Sequence, residues 1–400
     1  MRLLRRLKVF INSCIKIVIH TFGTLFIRPF IGRPDLQALD RNKPYRILYV
    51  CLAFRGDLVV NFPAITEIKR HFPNSKLTCW VRGYNKEMAA LLPAIDEIIV
   101  NDDFKNNALQ CLFELTKSKK YTQFVKRLGE FDVYIDDSGH VFSAIMGFRA
   151  KIAIRIGRNF QGFGFLYHRE ISYDLNVQMI ERRLKFVRAF GHDIKLKNIN
   201  KPYFKIQPEL IESVQKKLSL PSGLYFTVQP FAGWESKNWG LEKYVKVAEK
   251  FAEFSRLKPV FLGSMAERKS IDNQLETYSF GSINSAGLLG LDESAALIAG
   301  ARLHLGGDSI GGHLAIALDV RSITIFGPTN PGLSAYLGGK NIGVYKKTRC
   351  TPKHDKLYCC FDAGRGCQHK SCMRQLREED VLQGMLDLWN GKELPAIIQF

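Results

Sequence analysis

Residues 301–331 read ARLHLGGDSIGGHLAIALDVRSITIFGPTNP and predict a strand, a glycine-rich turn, a helix and a second strand in succession. Ala301–Leu305 suits the first strand, which Gly306–Asp308 would break. Helical spacing follows over residues 309–318, and Ser322–Phe326 is rich in β-branched residues. A glycine turn that opens a helix gathers backbone N–H groups and the positive end of the helix dipole at one point, which suits a phosphate. Taken alone, this stretch is better explained as a plain strand-to-helix turn that needs small residues.

The same alternation of strand and helix occurs in both halves of the chain. Tyr45–Ala53 is a continuous apolar run, typical of a strand buried in a parallel sheet, and Leu58–Phe72 is the helix predicted to follow it. Leu224–Val228 and Leu241–Phe254 repeat this pairing. We therefore predict two α/β domains, each with a parallel sheet that helices cover on both faces. The Gly- and aromatic-rich residues 157–175 predict a mobile loop.

Length and charge limit the class of protein. A chain of 400 residues is too long for one small core and suits two domains. The polar, basic stretch Gly191–Pro208 is the predicted linker between a domain of residues 41–200 and a domain of residues 201–400. The net charge of +20 indicates an anionic partner: nucleic acid, a membrane surface or a phosphorylated substrate. The sequence contains no RNP, zinc-finger or basic-zipper pattern, so we predict no nucleic-acid partner.

Residues 1–40 predict a separate basic and apolar segment that associates with a membrane. The apolar run Val9–Ile31 is interrupted by Lys16, His20 and Arg28. It therefore fits an amphipathic helix in the membrane interface better than a spanning helix, which needs ~20 largely uncharged residues. A helix packed on the protein and a spanning or signal segment are the alternatives. The basic residues would favour an anionic, cytoplasmic leaflet.

The strand-to-helix loops hold the candidate site. Two open α/β domains in tandem are expected to leave a cleft between the carboxyl ends of their sheets, where ligands bind. Asp57 follows the first strand of the first half, and Lys237 follows the first strand of the second half. Asp308, Ser309 and His313 follow a later strand of the second half.

At these loops the chain resembles the heptosyltransferases that build the core of lipopolysaccharide. Four elements match in the family's order, within roughly residues 45–385. They are Arg55-Gly56-Asp57 with Asn61–Ile65, Lys237–Trp239, Gly307–Ser309 with His313–Ala315, and Phe326–Pro331. The resemblance implies a GT-B fold, in which two Rossmann-like α/β domains face a central cleft. It also implies an enzyme that transfers a heptose from ADP-heptose to an anionic Kdo–lipid A type acceptor, with inversion at the anomeric centre and with no metal ion or other cofactor.

The resemblance gives two residues a catalytic role. Asp57 is similar to the family's general base, which takes the proton from the acceptor hydroxyl; the alternative is an Asp that caps the helix at Leu58. Lys237 would offset the negative charge that grows on the leaving diphosphate, in place of a metal ion, and the alternative is a solvated lysine beside Trp239. Arg55, Gly56 and Asn61 are the predicted acceptor-binding residues.

The predicted donor site lies in the second half. Ile310 stands where the family has a glycine, which puts the geometry of this loop in doubt, and Gly311 or Gly312 would supply the flexibility instead. We expect Asp308 to orient a sugar hydroxyl or a backbone amide, because a carboxylate repels phosphate. Without the resemblance, His313 would be a packed core histidine. The donor-binding set is Gln229, Gly263, Ser264, Glu267, Gly307, Asp308, Ser309, Gly311, Gly312 and His313.

Five cysteines lie close together near the end of the chain: Cys350, Cys359, Cys360, Cys367 and Cys372. The ligand types suit zinc, but the spacing contains no repeated C-x-x-C pair, so we predict no metal site. Structural thiols or a disulfide, a zinc site and a redox role stay open here.

Two other functions also stay open. A related GT-B enzyme with a different nucleotide-sugar is one, because of Ile310. A non-catalytic protein that binds an anionic glycolipid is the other, since the basic residues of the first half, such as Arg158, Arg182 and Arg183, would serve it equally well. For the enzyme we expect a peripheral location on the cytoplasmic face of the bacterial inner membrane.

Overall fold

Two compact units make up the chain in this computed structural model, which describes residues 2–102, 119–278, 280–359, 367 and 369–400. The first domain comprises Met1–Asp174 and Ile180–Asn198, and the second comprises Leu175–Met179 and Ile199–Phe400. Each domain has its own sheet and its own apolar core.

The first domain is built on a six-stranded parallel sheet with the order β3-β2-β1-β4-β5-β6. Its strands are β1 (Arg46–Cys51), β2 (Lys76–Val81), β3 (Glu97–Val100), β4 (Val133–Asp136), β5 (Ile154–Arg158) and β6 (Arg169–Ile171). Its described α-helices are α1 (Arg2–Phe26), α2 (Arg55–His71), α3 (Lys86–Ala90), α4 (Lys119–Leu128), α5 (Val141–Arg149) and α6 (Met179–Arg188). Strand β1 is buried at five of its six residues, as expected for a central strand covered on both faces.

The second domain contains a seven-stranded parallel sheet with the order β13-β12-β11-β10-β7-β8-β9. Its strands are β7 (Tyr225–Gln229), β8 (Lys258–Phe261), β9 (Ile283–Asn284), β10 (His304–Gly307), β11 (Ser322–Phe326), β12 (Asn341–Tyr345) and β13 (Ile397–Gln399). Its described α-helices are α7 (Pro208–Lys217), α8 (Leu241–Ser255), α9 (Met265–Leu275), α10 (Leu291–Ala299), α11 (Ile310–Ala317), α12 (Pro331–Ser334), α13 (Ser371–Gln375) and α14 (Glu378–Trp389).

Each sheet has one point at which the direction of winding reverses. In the first domain the chain proceeds from β1 through β2 to β3 on one side and through β4, β5 and β6 on the other, so the reversal lies between β1 and β4. In the second domain it lies between β7 and β10. Ligands of open parallel sheets bind at the carboxyl ends of the strands at such a reversal. The topology therefore selects the loops after β1, β4, β7 and β10.

Several local predictions were wrong. Helix α2 begins at Arg55 instead of Leu58. The predicted mobile loop 157–175 contains β6, which pairs with β5. Gly306 and Gly307 do not break the strand but form the end of β10, paired with Thr324 and Ile325. Pro63 lies inside α2, as predicted. The Lys-rich residues 104–128 are also predicted to be helical; Lys119–Leu128 is α4, and residues 104–118 lie outside the described residues.

Helix α1 packs on the first domain through polar and small residues. Lys16 Nζ donates to the Phe160 carbonyl oxygen at 3.1 Å, and His20 Nδ1 lies 3.0 Å from Asn159 Nδ2. Gly23 is buried so closely against the Phe165 ring that a Cβ atom there would overlap it. Within the described residues, no helix combines the length and the apolar character needed to cross a bilayer.

The opposite side of α1 is apolar and exposed. Its side chains, which are between 49% and 67% exposed, are Ile15, Ile17, Val18, Phe22, Leu25 and Phe26. Most of these recur at intervals of three or four residues, so they form a continuous stripe along the helix. We call these six residues the outer stripe. An ordinary surface helix has the reverse arrangement, with its apolar side against the protein.

Candidate functional site

In the first domain, Asp57 lies in the first turn of α2, directly after β1. Its side chain is 28% exposed, and Oδ1 accepts a hydrogen bond from Arg183 Nη2 at 3.3 Å. The N-cap position of the helix is Phe54, in extended conformation, and Asp57 is the third helical residue. The predicted capping of a helix at Leu58 is therefore wrong. A carboxylate in the first turn still interacts favourably with the helix dipole.

Asn61 holds the turn that carries Asp57. It is fully buried one turn further along α2, and its Nδ2 donates to the Asp57 carbonyl oxygen at 2.8 Å and to Asp137 Oδ2 at 2.9 Å. Its Oδ1 accepts from the hydroxyl of Tyr49 on β1. Because these bonds engage the whole amide inside the domain, we correct the predicted contact between Asn61 and an acceptor to a structural role.

A buried group of charges lies beneath Asp57. Asp137 follows β4 and is fully buried, with Oδ1 3.3 Å from Arg158 Nε and 3.6 Å from Arg183 Nε. Burial alone would lower the pKa of Arg183, but Asp137 and Asp57 raise it, so the guanidinium stays charged. Arg183 thus bridges one buried carboxylate and one partly exposed carboxylate. The other predicted acceptor residues lie at the same turn: Arg55 is exposed, with its guanidinium 5.4 Å from the centre of the Tyr84 ring, and Gly56 is partly exposed.

In the second domain, Asp308 lies at the reversal between β7 and β10. Its Oδ2 accepts from Lys237 Nζ at 2.7 Å and from Thr329 Oγ1 at 2.6 Å, and its Oδ1 lies 3.4 Å from His313 Nε2. Lys237 also donates to the Asp308 carbonyl oxygen at 3.2 Å and stands 4.5 Å from the centre of the Trp234 ring. Asp308 is therefore the counter-charge of Lys237, a role that its predicted contact with a sugar hydroxyl or a backbone amide did not include.

The charge of Asp308 is fixed by these neighbours. Burial would raise the pKa of this carboxyl, but Lys237 and His313 lower it well below its usual range. Asp308 is therefore ionised at neutral pH, and it holds the ammonium of Lys237 in place. The predicted solvated lysine is also wrong, since the Lys237 side chain is only 15% exposed.

Helix α11 begins at this point with a close-packed turn. Ser309 Oγ donates to Gln229 Oε1 at 3.3 Å, which joins the ends of β7 and β10. A Cβ atom on Gly311 would overlap Gln229 Oε1, and one on Gly312 would lie 2.9 Å from the Gly307 carbonyl oxygen. Ile310 is the first helical residue, and the two glycines after it provide the tight packing. The first backbone N–H groups of an α-helix have no partner within the helix, so this turn offers donors to an anion.

Gly263, Ser264 and Glu267 form the start of α9. Ser264 is the N-cap, and Glu267 Oε2 accepts from the Ser264 backbone N–H at 2.7 Å in a capping box. Gly263 packs against Glu267 and Ala286. The Glu267 carboxylate thus has a local structural partner, which the predicted ribose contact did not include.

Three described cysteines of the C-terminal cluster are free thiols: Cys350, Cys367 and Cys372. Burial raises the pKa of Cys372 to about 11, which makes it a structural thiol and a poor nucleophile. Among the described residues, no group of three or more His, Cys, Asp or Glu side chains could hold a metal ion. Cys360 lies outside the described residues.

Three contributors were missed as site residues by reasoning from the sequence: Asp137, Arg183 as a partner of Asp57, and Thr329 as a partner of Asp308. A signal existed for Asp137, because two carboxylates directly after a buried strand are unusual and stand at the carboxyl edge of the sheet. No comparable signal existed for Arg183, which lies 126 positions from Asp57.

Comparison with known proteins identifies a matching family model and a related protein. The family model described as glycosyltransferase family 9 (heptosyltransferase) matches residues 121–360. Lipopolysaccharide heptosyltransferase 1 of Pseudomonas aeruginosa is 26% identical over 348 residues, which cover 84% of this chain and 89% of that protein.

Two solved structures share the fold. The Escherichia coli ADP-heptose lipopolysaccharide heptosyltransferase II has a TM-score of 0.69 at 17% identity, covering 86% of this chain and 99% of that one. A family 9 glycosyl transferase from Veillonella parvula has a TM-score of 0.73 at 18% identity, covering 88% and 99%.

Proposed function

Because the chain belongs to glycosyltransferase family 9, the heptosyltransferases, we propose that it transfers a heptose from ADP-heptose to an anionic lipopolysaccharide inner-core acceptor of the Kdo–lipid A type, with inversion and without a metal ion. Membership confirms the family predicted from the four motifs and the glycosyltransferase class of enzyme. The prediction of a GT-B fold with two Rossmann-like parallel α/β domains is likewise confirmed. The coarser function, a heptosyltransferase of lipopolysaccharide core biosynthesis, follows from the relatives.

One observation carries the finer proposal: each domain places complementary chemistry at the reversal point of its own sheet. The first domain offers a partly exposed carboxylate, Asp57, after β1. The second offers an ammonium, Lys237, and the start of α11 after β7 and β10. A carboxylate suits the removal of a proton from a hydroxyl, and an ammonium with helix N–H groups suits a diphosphate.

The proposed step is a single displacement. Asp57 takes the proton of the acceptor hydroxyl while that oxygen forms a bond to the anomeric carbon of the heptose. The bond from this carbon to the diphosphate oxygen breaks, and its electron pair leaves with ADP. Lys237 and the N–H groups at the start of α11 stabilise the negative charge on ADP. Attack from the face opposite the leaving group inverts the anomeric centre.

Asp57→Asn tests the proposed base. We expect the transfer rate to fall by about 10²- to 10⁴-fold, because the amide cannot accept the proton. ADP should still raise the melting temperature of the variant as it does for the wild type, because its binding groups lie in the other domain. Asp193→Asn, at an exposed position, is the matched control.

The outcome that contradicts the proposal is a wild-type protein that leaves ADP-heptose unchanged. Turnover of another nucleotide-sugar would then support the related-transferase alternative. Binding of the anionic glycolipid without turnover of any donor would support the non-catalytic alternative.

We also propose that the protein is peripheral on the cytoplasmic face of the inner membrane, with the outer stripe of α1 in the lipid interface. The outer stripe is apolar and exposed, while the polar residues Lys16 and His20 of the same helix face the protein. Water is a poor partner for such a stripe, and the acyl boundary of a bilayer is a good one. The exposed Arg33 and the net charge of +20 favour an anionic leaflet.

Sedimentation with vesicles of phosphatidylethanolamine and phosphatidylglycerol tests this location. The triple variant Val18→Asp, Phe22→Asp, Phe26→Asp should lose at least about 100-fold in vesicle affinity, because each buried apolar side chain contributes about 1.5–3 kcal/mol. Asn12→Asp adds a charge at an exposed position of the same helix outside the stripe and should bind close to wild type. Equal binding of the triple variant and the wild type would disprove the proposed contact.

A further inference from the structure

The buried carboxylate Asp137 has no place in the transfer step proposed above. It is fully buried, so it can touch neither substrate, and it follows β4 at the same reversal point as Asp57. Its Oδ2 accepts from Asn61, and its Oδ1 lies within 3.6 Å of Arg158 Nε and Arg183 Nε. The side chains of both arginines are almost completely buried.

This cluster links buried ions to one partly exposed ion. Arg158 and Arg183 both form ion pairs with the buried Asp137, the buried Asp136 adds a negative charge near Arg158, and Arg183 also pairs with the partly exposed Asp57. Buried ions are expensive unless they are paired, and apolar replacements of such groups often match or exceed them in stability. A contribution to the stability of the fold is therefore a weak explanation for this arrangement. A direct explanation is that these ions control the orientation of the Asp57 carboxylate and the charge around it.

We propose that Asp137 is a positioning residue that, through Arg183, fixes the orientation of the Asp57 carboxylate and limits the positive charge that Asp57 must neutralise. This inference rests on the proposed function, in which Asp57 takes the proton of the acceptor. Asp137 Oδ1 lies 3.6 Å from Arg183 Nε, an ion-pair contact on one edge of the guanidinium, while Nη2 donates to Asp57 Oδ1. Asn61 ties the two carboxylates together by donating both to Asp137 and to the backbone of Asp57.

The groups near Asp57 determine the sign of the effect. Tyr49 and Cys51 are buried on β1, and their pKa values are raised well above the usual range, first by burial and then by Asp137, so both are neutral. Ion pairs link Asp57 to Arg183, Asp137 and Arg158. The titratable or charged groups around this turn include Tyr49, Cys51, Asp136, Asp137, Arg158, Tyr173, Arg182 and Arg183.

Two variants should shift the pH dependence in opposite directions. In Asp137→Asn, the two guanidiniums lose the counter-charge of Asp137, which favours the ionised form of Asp57, so the acid limb of kcat/KM should move to lower pH. In Arg183→Met, Asp57 loses its cation, which disfavours the ionised form, so the acid limb should move to higher pH. In both, kcat should fall by about tenfold or more, since the base is weaker or misdirected, while the KM for ADP-heptose stays within about twofold.

Asp136→Asn is the matched control. Asp136 is also fully buried, next to Asp137, but its Oδ2 accepts from Tyr167 and its Oδ1 accepts from the backbone of Ser138 and Gly139. Its substitution should move the acid limb less than Asp137→Asn does, because Asp136 interacts with Arg158 and has no contact with Arg183 or Asp57 among the hydrogen bonds and ion pairs described. A loss of folded enzyme alone would lower the rate in any variant without moving the acid limb.

A second measurement does not depend on transfer. Carboxyl ¹³C NMR titration of aspartate-labelled protein, with the Asp57 resonance assigned from Asp57→Asn, gives the pKa of Asp57 in each variant. An unchanged Asp57 titration in folded Asp137→Asn overturns the inference. If the wild type transfers no heptose, the proposed function fails, and the titration still decides the link between Asp137 and Asp57.

Discussion

Asp308 shows how a single residue can take a role that its loop position does not reveal. A carboxylate at the start of a helix would repel a phosphate, which is why the sequence suggested a sugar hydroxyl or a backbone amide as its partner. In the structure it accepts from Lys237 and Thr329 instead. The loop positions of Lys237 and Asp308 predicted that both belong to the candidate site. The ion pair between them was not predictable, because it joins residues 71 positions apart that come together only when β7 pairs with β10.

Asp308→Asn should destabilise the second domain. The substitution leaves a mostly buried ammonium without its counter-charge, which typically costs about 3 kcal/mol. Because the pKa of Asp308 is lowered in the folded protein, its stabilisation is complete at neutral pH and is lost as the pH falls below about 4. The difference in melting temperature between variant and wild type should therefore be large at pH 7 and shrink at pH 3.

Asp319→Asn is the control for this prediction. It removes a carboxylate that pairs with Lys340, whose side chain is 46% exposed, so the cost should stay below about 1 kcal/mol. An equal loss of stability from both substitutions would show that the buried pair of Asp308 and Lys237 stabilises the protein no more than an exposed ion pair does.

Gly311→Ala should disturb the start of α11 through one methyl group. The added carbon would overlap Gln229 Oε1, so the Gln229 side chain must turn away and its hydrogen bond from Ser309 Oγ is lost, which typically costs about 1 kcal/mol. Thermal unfolding with and without ADP measures both the loss of stability and the weaker stabilisation by ADP. Gly384→Ala in α14, where the nearest atom is 3.7 Å away, should be neutral or slightly stabilising. A Gly311→Ala variant as stable as the wild type would contradict the close packing.

At the scale of elements, strands with a strong apolar pattern were predictable, whereas very short or polar strands of the second sheet were not. Strands β1 and β11 are mostly apolar and agree with prediction to within two residues. Strand β9 has only two residues, and β12 contains Asn341 and Gly343, so neither carries a usable pattern. The alternation of central strands and helices was sufficient for the fold class because connections in parallel sheets require it.

Helix α9 provides a test of the Glu267 assignment. Glu267→Ala removes half of the capping box and should cost about 1 kcal/mol, while the ADP-induced rise in melting temperature stays as in the wild type. Glu253→Ala, at an exposed position of α8, is the control for a general loss of charge. A tenfold or greater loss of ADP affinity in Glu267→Ala would restore the predicted ribose contact.

The whole molecule is strongly basic, and this should appear in its salt dependence. With a net charge of +20 and an anionic acceptor, kcat/KM for the acceptor should fall by about tenfold between roughly 50 mM and 300 mM NaCl, because salt screens long-range attraction. Sucrose at equal osmotic strength is the control and should have little effect. A rate that is independent of salt would show that the surplus charge has no part in recognising the acceptor.

Both sheets reverse their winding at one point, and this explains why the loops of the candidate site could be predicted from the sequence. Asp57, Lys237 and Asp308 stand in loops that follow apolar strands, and such loops meet at the reversal points. The partners of these residues could not be found in this way. Arg183 reaches Asp57 from α6, whose position in the domain is set by packing and not by any local pattern.

The pair formed by Lys237 and Asp308 has a consequence for the thermodynamics of donor binding. A free lysine side chain loses up to about 2 kcal/mol of rotational entropy when it becomes ordered. Here the carboxylate, the Asp308 carbonyl oxygen and the Trp234 ring already confine the ammonium. Most of that entropy is therefore lost when the chain folds. In the proposed site, a diphosphate binds an ammonium that is already ordered, so binding costs little further side-chain entropy.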